Sequence, residues 1–121
     1  MSCKILVVED TPSIRELITN YLKKNGYEVI EAKNGRDALD KAQETLPNVV
    51  VTDVVMPEMN GFKLCSNLKK NPDLENLKII VCTSKKQNID RLWGIKQGAD
   101  IYLTKPFTET KLLEAVKSVI G

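Results

Sequence analysis

The sequence predicts a single α/β domain: an open, five-stranded parallel sheet, doubly wound, with helices on both faces. Five short runs rich in β-branched residues, "KILVV", "YEVIEA", "NVVVTD", "KIIVCT" and "IYLT", recur along the chain. Each is followed by a longer segment whose apolar residues repeat at helical period. The 121 residues make one ordinary domain, residues 1–121, with no linker, repeat or low-complexity tract to divide it. Strict βα alternation, a (βα)5 arrangement, selects right-handed crossovers and therefore a parallel sheet.

The first strand, "KILVV", runs into Glu9 and Asp10. The helix after it carries Ile14, Leu17, Ile18, Tyr21 and Leu22 on one face. Ser13 with Glu16 fits a capping box at its start, and Gly26 follows its end. "YEVIEA" is the second strand, ending near Glu31, and Ala38, Leu39 and Ala42 line the second helix. "NVVVTD" is apolar at successive positions, the mark of a strand buried on both faces, and it terminates in Asp53. Phe62, Cys65 and Leu68 line the third helix. The fourth strand ends in Thr83-Ser84, and the fourth helix carries Ile89, Leu92 and Ile95 before Gly98. Trp93 falls about a quarter turn from the centre of that face and is expected to be partly exposed. "IYLT" runs into Lys105-Pro106, and Leu112, Leu113, Val116, Val119 and Ile120 pattern the last helix.

Composition excludes several functions. Lys plus Arg is 18 and Asp plus Glu is 16, so a net charge of +2 provides no general attraction to nucleic acid or an anionic membrane. The start "MSCKILVVED" is too short in apolar residues for a secretory signal, and no segment approaches a membrane span, so a cytoplasmic protein is expected. Cys3, Cys65 and Cys82 form an odd set without metal-like spacing and read as free, mostly buried thiols. Histidine is absent, which removes His-based triads and the usual zinc sets; any histidine in the chemistry has to come from a partner.

In an open parallel sheet, ligands sit beyond the carboxyl ends of the strands. Those ends carry Glu9-Asp10, Asp53, Thr83-Ser84 and Thr104-Lys105-Pro106. Two carboxylates ~4 Å apart repel by about 4 kcal/mol at an effective dielectric near 20, so such a rim favours a cation. Mg²⁺ fits best, as a hard ion that takes oxygen ligands and commonly one or two carboxylates with a phosphate; Mn²⁺ is a possible substitute. Glu31 is a control: on an edge strand it is remote from Asp53.

"VVED", "DVVMPEMNG", the Thr-Ser after strand four and "GADIYLTKPF" match, in order and spacing, the receiver domains of two-component response regulators, and the resemblance covers essentially the whole chain. It implies the flavodoxin-like, CheY-like fold with strand order 2-1-3-4-5. It also implies that Asp53 accepts a phosphoryl group from a phosphohistidine on a histidine kinase or histidine phosphotransfer protein. Asp10, Asp53 and the Val55 backbone carbonyl would hold Mg²⁺, with Glu9 acting through metal-bound water. Lys105 and Thr83 would contact the phosphoryl oxygens, as would the backbone N–H groups of Val55 and Ser84. Thr83 and Tyr102 would form the switch, and the bond before Pro106 would be cis. The output surface would be the fourth helix, fifth strand and fifth helix, binding a downstream protein target, with Trp93 a possible partner contact. Phosphoryl transfer needs mainly alignment and charge neutralisation, and a carboxylate nucleophile requires no general base.

Haloacid-dehalogenase phosphatases also form an aspartyl phosphate, but their pattern places a second aspartate where this chain has Val55. The chain is therefore expected not to be an enzyme beyond self-phosphorylation from a donor and slow self-dephosphorylation, slowed by Val55 and Lys85 beside the site. The chain ends with the fifth helix, so a stand-alone regulator is expected; the alternatives are a receiver fragment of a longer transcriptional regulator and a constitutive interaction module. "TSKKQNIDRLWGIKQGADIYLTKP" resembles receivers of type IV pilus twitching-motility and phototaxis systems.

Overall fold

Short β-branched runs bounded by polar turns form strands, and the computed structural model, which describes residues 3–54, 56, 59–84 and 98–120, contains five among the described residues. They are β1 (Lys4–Val8), β2 (Glu28–Ala32), β3 (Val49–Asp53), β4 (Lys78–Ser84) and β5 (Ile101–Lys105). The described α-helices are α1 (Pro12–Lys24), α2 (Gly35–Thr45), α3 (Gly61–Lys69) and α4 (Glu109–Ile120), with a 3₁₀ turn at Pro72–Leu74. All four strand pairings are parallel, in the order β2-β1-β3-β4-β5. The expected sheet and its order are therefore observed. The expected fourth helix, with Ile89, Leu92, Trp93 and Ile95, lies outside the described residues, as do Val55 and Lys85.

Period two along each strand divides the interior. Ile5 and Val7 of β1, Val49 and Val51 of β3, and Ile80 and Cys82 of β4 pack against Ile18 and Leu22 of α1 and Leu112, Ala115 and Val116 of α4. Leu6, Val8, Val50, Ile79 and Val81 point the other way, onto Ala38 and Ala42 of α2 and Leu64, Cys65 and Leu68 of α3. Nearly all of these side chains are buried completely, each stabilising the fold by about 1.5–3 kcal/mol for a Val, Leu or Ile.

Local signals set where the elements stop. Gly26, at φ +90, donates its N–H to the Lys23 carbonyl while the Tyr27 N–H reaches the Leu22 carbonyl, closing α1 in a conformation that disfavours a side chain. At the other end of α1 the expected capping box is not formed. Thr11 is the N-cap and makes no side-chain cap bond, because Pro12 at the first helical position starts the helix early and leaves Ser13 inside the first turn. The helical face also differs: Ile18 and Leu22 are buried, but Ile14 and Leu17 are 37% and 49% exposed. Ile14 and Leu17 instead stand off the core, beside Pro106 and Phe107.

Asp100 explains part of "GADIYLTKPF". Its N–H donates to the Ile79 carbonyl (2.8 Å) and its Oδ2 accepts from the Ile79 N–H (2.7 Å). This clamp precedes the β4–β5 ladder, in which Ser84 is the register partner of Lys105.

Candidate functional site

Parity carries three charged residues to one place. Glu9 continues the Ile5, Val7 series, Asp53 continues Val49, Val51, and Lys105 continues Ile101, Leu103. All three series face α1 and α4, and all three charges stand at the carboxyl rim. Lys105 Nζ donates to Asp53 Oδ2 at 2.9 Å and lies 3.7 Å from Glu9 Oε1. The other oxygen, Asp53 Oδ1, accepts from the Val54 N–H at 2.8 Å. Carboxylate oxygens of Glu9, Asp10 and Asp53 lie within 4.8 Å of one another.

The backbone around Asp53 demands a glycine eight residues on. Gly61 donates its N–H to the Val54 carbonyl (2.8 Å), and a Cβ on Gly61 would stand 2.3 Å from the Asp53 carbonyl oxygen. Any side chain there would push the start of α3 away from the end of β3.

Electrostatically the cluster is unbalanced. Glu9 is only 2% exposed, and its carboxyl is pushed up to about 7 by burial first, with the Asp53 and Asp10 charges adding and Lys105 opposing. Burial works against the Lys105 ammonium, but the bond to Asp53 and the charges of Asp53 and Glu9 outweigh it, so its proton is held more firmly than usual. The thiol of Cys82, the ladder partner of Asp53, is pushed up to about 12 by burial, as is that of Cys65; with Cys3 half-buried, all three cysteines are free thiols, as expected.

The remaining sequence-predicted residues fall around this centre. Asp10 is exposed at the mouth. Thr83 is buried at 2% exposure on the opposite parity, beside Thr104, and half-buried Tyr102 lies two positions back along β5 on that same face. The Lys105–Pro106 bond is cis. Ser84 ends β4 beside Lys105, whereas Val55 and Trp93 lie outside the described residues. Glu31 is on edge strand β2, separated from β3 by β1, and is engaged by Arg15 (Nε to Oε1, 3.5 Å), so the control holds. Beside Lys105, the exposed Ile14 and Leu17 join Ile18, Pro106 and Phe107 around an apolar groove of about 450 Å³.

Sequence reading put Glu9 at the rim without seeing its burial. The signal was available: its parity with Ile5 and Val7 points it inward, while Asp10 points out. The apolar groove was concealed because its residues share a helical period with the core.

An all-oxygen set of three close carboxylates, one of them buried with a single lysine shared between it and Asp53, fits a hard divalent cation such as Mg²⁺. Residues 5–117 match the response regulator receiver domain family. The chain belongs to that family. It is 39% identical over 118 residues to Protein PilH of Pseudomonas aeruginosa, covering 98% of each chain. Among solved structures, this receiver superposes on chemotaxis protein CheY4 of Vibrio cholerae with TM-score 0.94 at 34% identity, covering 98% of this chain and 99% of that one. The receiver domain of sensor histidine kinase PA1611 from P. aeruginosa, with a magnesium ion coordinated in its active site cleft, superposes with TM-score 0.91 at 26% identity, covering 100% of this chain and 99% of that one. No helix among the described residues is long and apolar enough to cross a membrane.

Proposed function

We propose that the chain is a phosphorylation-activated response regulator in which Asp53 takes a phosphoryl group from a partner's phosphohistidine and thereby alters a protein-binding face. The observation that carries this is the position of Asp53: one oxygen bonded to Lys105, the other to a backbone N–H, and two further carboxylates alongside.

In the transfer, an Asp53 oxygen forms a bond to phosphorus as the donor's N–P bond breaks, and the electron pair leaves with the imidazole, which then takes a proton from solvent. Lys105 stays protonated, orients the carboxylate and neutralises charge on the phosphoryl oxygens. Asp10 and Asp53 would supply oxygen ligands for Mg²⁺, with Glu9 acting through metal-bound water, and the ion would offset the negative charge of acceptor and phosphoryl group. The apolar groove beside Lys105 offers a surface for a donor presenting its histidine to Asp53.

Phosphorylation adds charge and acceptor oxygens at the rim, toward which the Thr83 hydroxyl moves; Tyr102, on the same face, follows into the space behind it. The only reaction is on the chain itself, so the protein is a switch and not an enzyme on external substrates. The similarity to PilH along 98% of each chain and the "TSKKQ" segment support a stand-alone regulator of type IV pilus motility.

Intact mass after incubation with acetyl phosphate and Mg²⁺ tests the reading. It expects one phosphate-sized gain, absent from Asp53→Asn and from the wild type in EDTA. No gain in the wild type would leave a constitutive binding module in its place.

A further inference from the structure

Asp10 is the most exposed of the three clustered carboxylates, and among the described residues no hydrogen bond or ion pair restrains its side chain. Its place depends on its backbone. That backbone is held through the preceding residue. The Glu9 N–H donates to the Ala32 carbonyl at the end of β2 (3.1 Å), and the Glu9 carbonyl accepts from Arg15 Nη1 at 2.8 Å. The peptide joining Glu9 to Asp10 is thereby fixed from a helix one turn away.

Arg15 is itself oriented. Its N–H donates to the Thr11 carbonyl (2.9 Å) at the start of α1, and its Nε pairs with Glu31 Oε1 at 3.5 Å across the edge of the sheet. A planar guanidinium serves the Glu9 carbonyl with one nitrogen and the Glu31 carboxylate with another; an ammonium has one nitrogen to offer both, without the fixed fork. The Arg15 side chain is 21% exposed, so the arrangement is sheltered without being sealed.

We propose that Arg15, oriented by Glu31, is the positioning residue of the acidic cluster: it sets the Glu9–Asp10 peptide and so the cation affinity of a site it does not touch. This rests on the cluster being a divalent-cation site, as in the proposed function. Residues behind metal ligands typically change affinity by about 10–100-fold when removed.

The test is direct Mg²⁺ titration of the full chain by calorimetry, with melting temperature in EDTA measured in parallel. Arg15→Met, which keeps the aliphatic stem, is expected to weaken Mg²⁺ binding by about tenfold or more. Arg15→Lys should restore part of that loss, and Glu31→Gln should weaken binding by roughly twofold without lowering the melting temperature. Wild-type binding with unchanged affinity in Arg15→Met, or a lowered melting temperature alone, overturns the positioning role and leaves the proposed function standing. Absence of Mg²⁺ binding in the wild type overturns both. Should Arg15→Met fail to fold, Arg15→Lys decides: wild-type affinity with one ammonium in place of the fork, together with wild-type affinity in Glu31→Gln, refutes the arrangement.

Discussion

The receiver has two clusters of charge a few residues apart in sequence, and they have opposite characters. At the strand ends, Glu9, Asp10 and Asp53 have Lys105 as their close cation, and the buried Glu9 carboxyl is pushed up to about 7. At the edge formed by α1, β2 and α2, Arg15, Lys33 and Lys41 surround Glu31 and Asp37 in a polar cleft. There Asp37 accepts from the Lys33 N–H at 3.1 Å and pairs with Lys41 at 3.2 Å; burial opposes its charge, but these bonds hold its carboxyl below the usual range. A cluster in which each carboxylate has its own cation is a structural joint. One left with surplus negative charge at the mouth of a parallel sheet favours a cation.

The largest expected difference is in chemistry. Lys105→Met should slow phosphorylation by about 10²–10³, the cost of removing one donor aimed at developing charge. Lys41→Met in the edge cluster should leave the rate unchanged. The time course of phosphate gain by intact mass measures both, and a normal rate in Lys105→Met would erase the distinction.

Next in size is the response to cation. At about 100 times its dissociation constant, Mg²⁺ should stabilise the chain against denaturant by about 2.7 kcal/mol. That gain should vanish in Asp10→Asn and persist in Asp37→Asn. Urea titrations with Mg²⁺ and with EDTA give the comparison.

Without metal, the clusters should respond with opposite signs. Asp10→Asn relieves surplus charge and should raise stability in EDTA by about 0.5–1 kcal/mol. Asp37→Asn removes an acceptor beside the Asn34 cap at the start of α2 and should lower it by about 1 kcal/mol. Equal signs for the two variants would mean that the rim is no more strained than the edge.

The smallest effect is on pH dependence. Glu9 is raised in the fold from 4.5 to about 7, chiefly by burial, so the folded state binds the extra proton between those values. Its contribution is fully present below pH 4.5 and lost as pH rises through 7 in EDTA. Asp37, lowered from 3.8 in the fold, works in reverse: its contribution is present above 3.8 and lost as pH falls through its lower folded value. Stability curves in EDTA should therefore flatten between pH 5 and 7 in Glu9→Gln, and an unchanged slope would place the titration elsewhere.

Much of this was legible in the sequence because strands announce themselves by β-branched runs, and in this chain those runs stop at charges. Asp53 after four apolar or β-branched residues, and Lys105 after "IYLT", identify the rim without any coordinates. Strand order came from family likeness, since local patterning does not say on which side of β1 the second strand lies. Two failures have a common cause. Ile14 and Leu17 share a helical face with Ile18 and Leu22, yet they stay exposed beside Pro106 and Phe107, which periodicity does not reveal. Ser13 and Glu16 satisfy a capping pattern that Pro12 pre-empts. Arg15 left no signal at all: its partners are a carbonyl six residues back and a carboxylate on another strand, contacts that a long side chain makes only after the fold has formed.

The most direct test of the contrast is a crystal structure grown with Mn²⁺, whose anomalous scattering identifies it as a stand-in for Mg²⁺. One octahedral ion bound by carboxylates of Asp10 and Asp53 at about 2.0–2.2 Å, with none in the cleft of Arg15 and Asp37, is the predicted result. An ion in that cleft, or an empty acidic cluster at saturating Mn²⁺, would contradict the account.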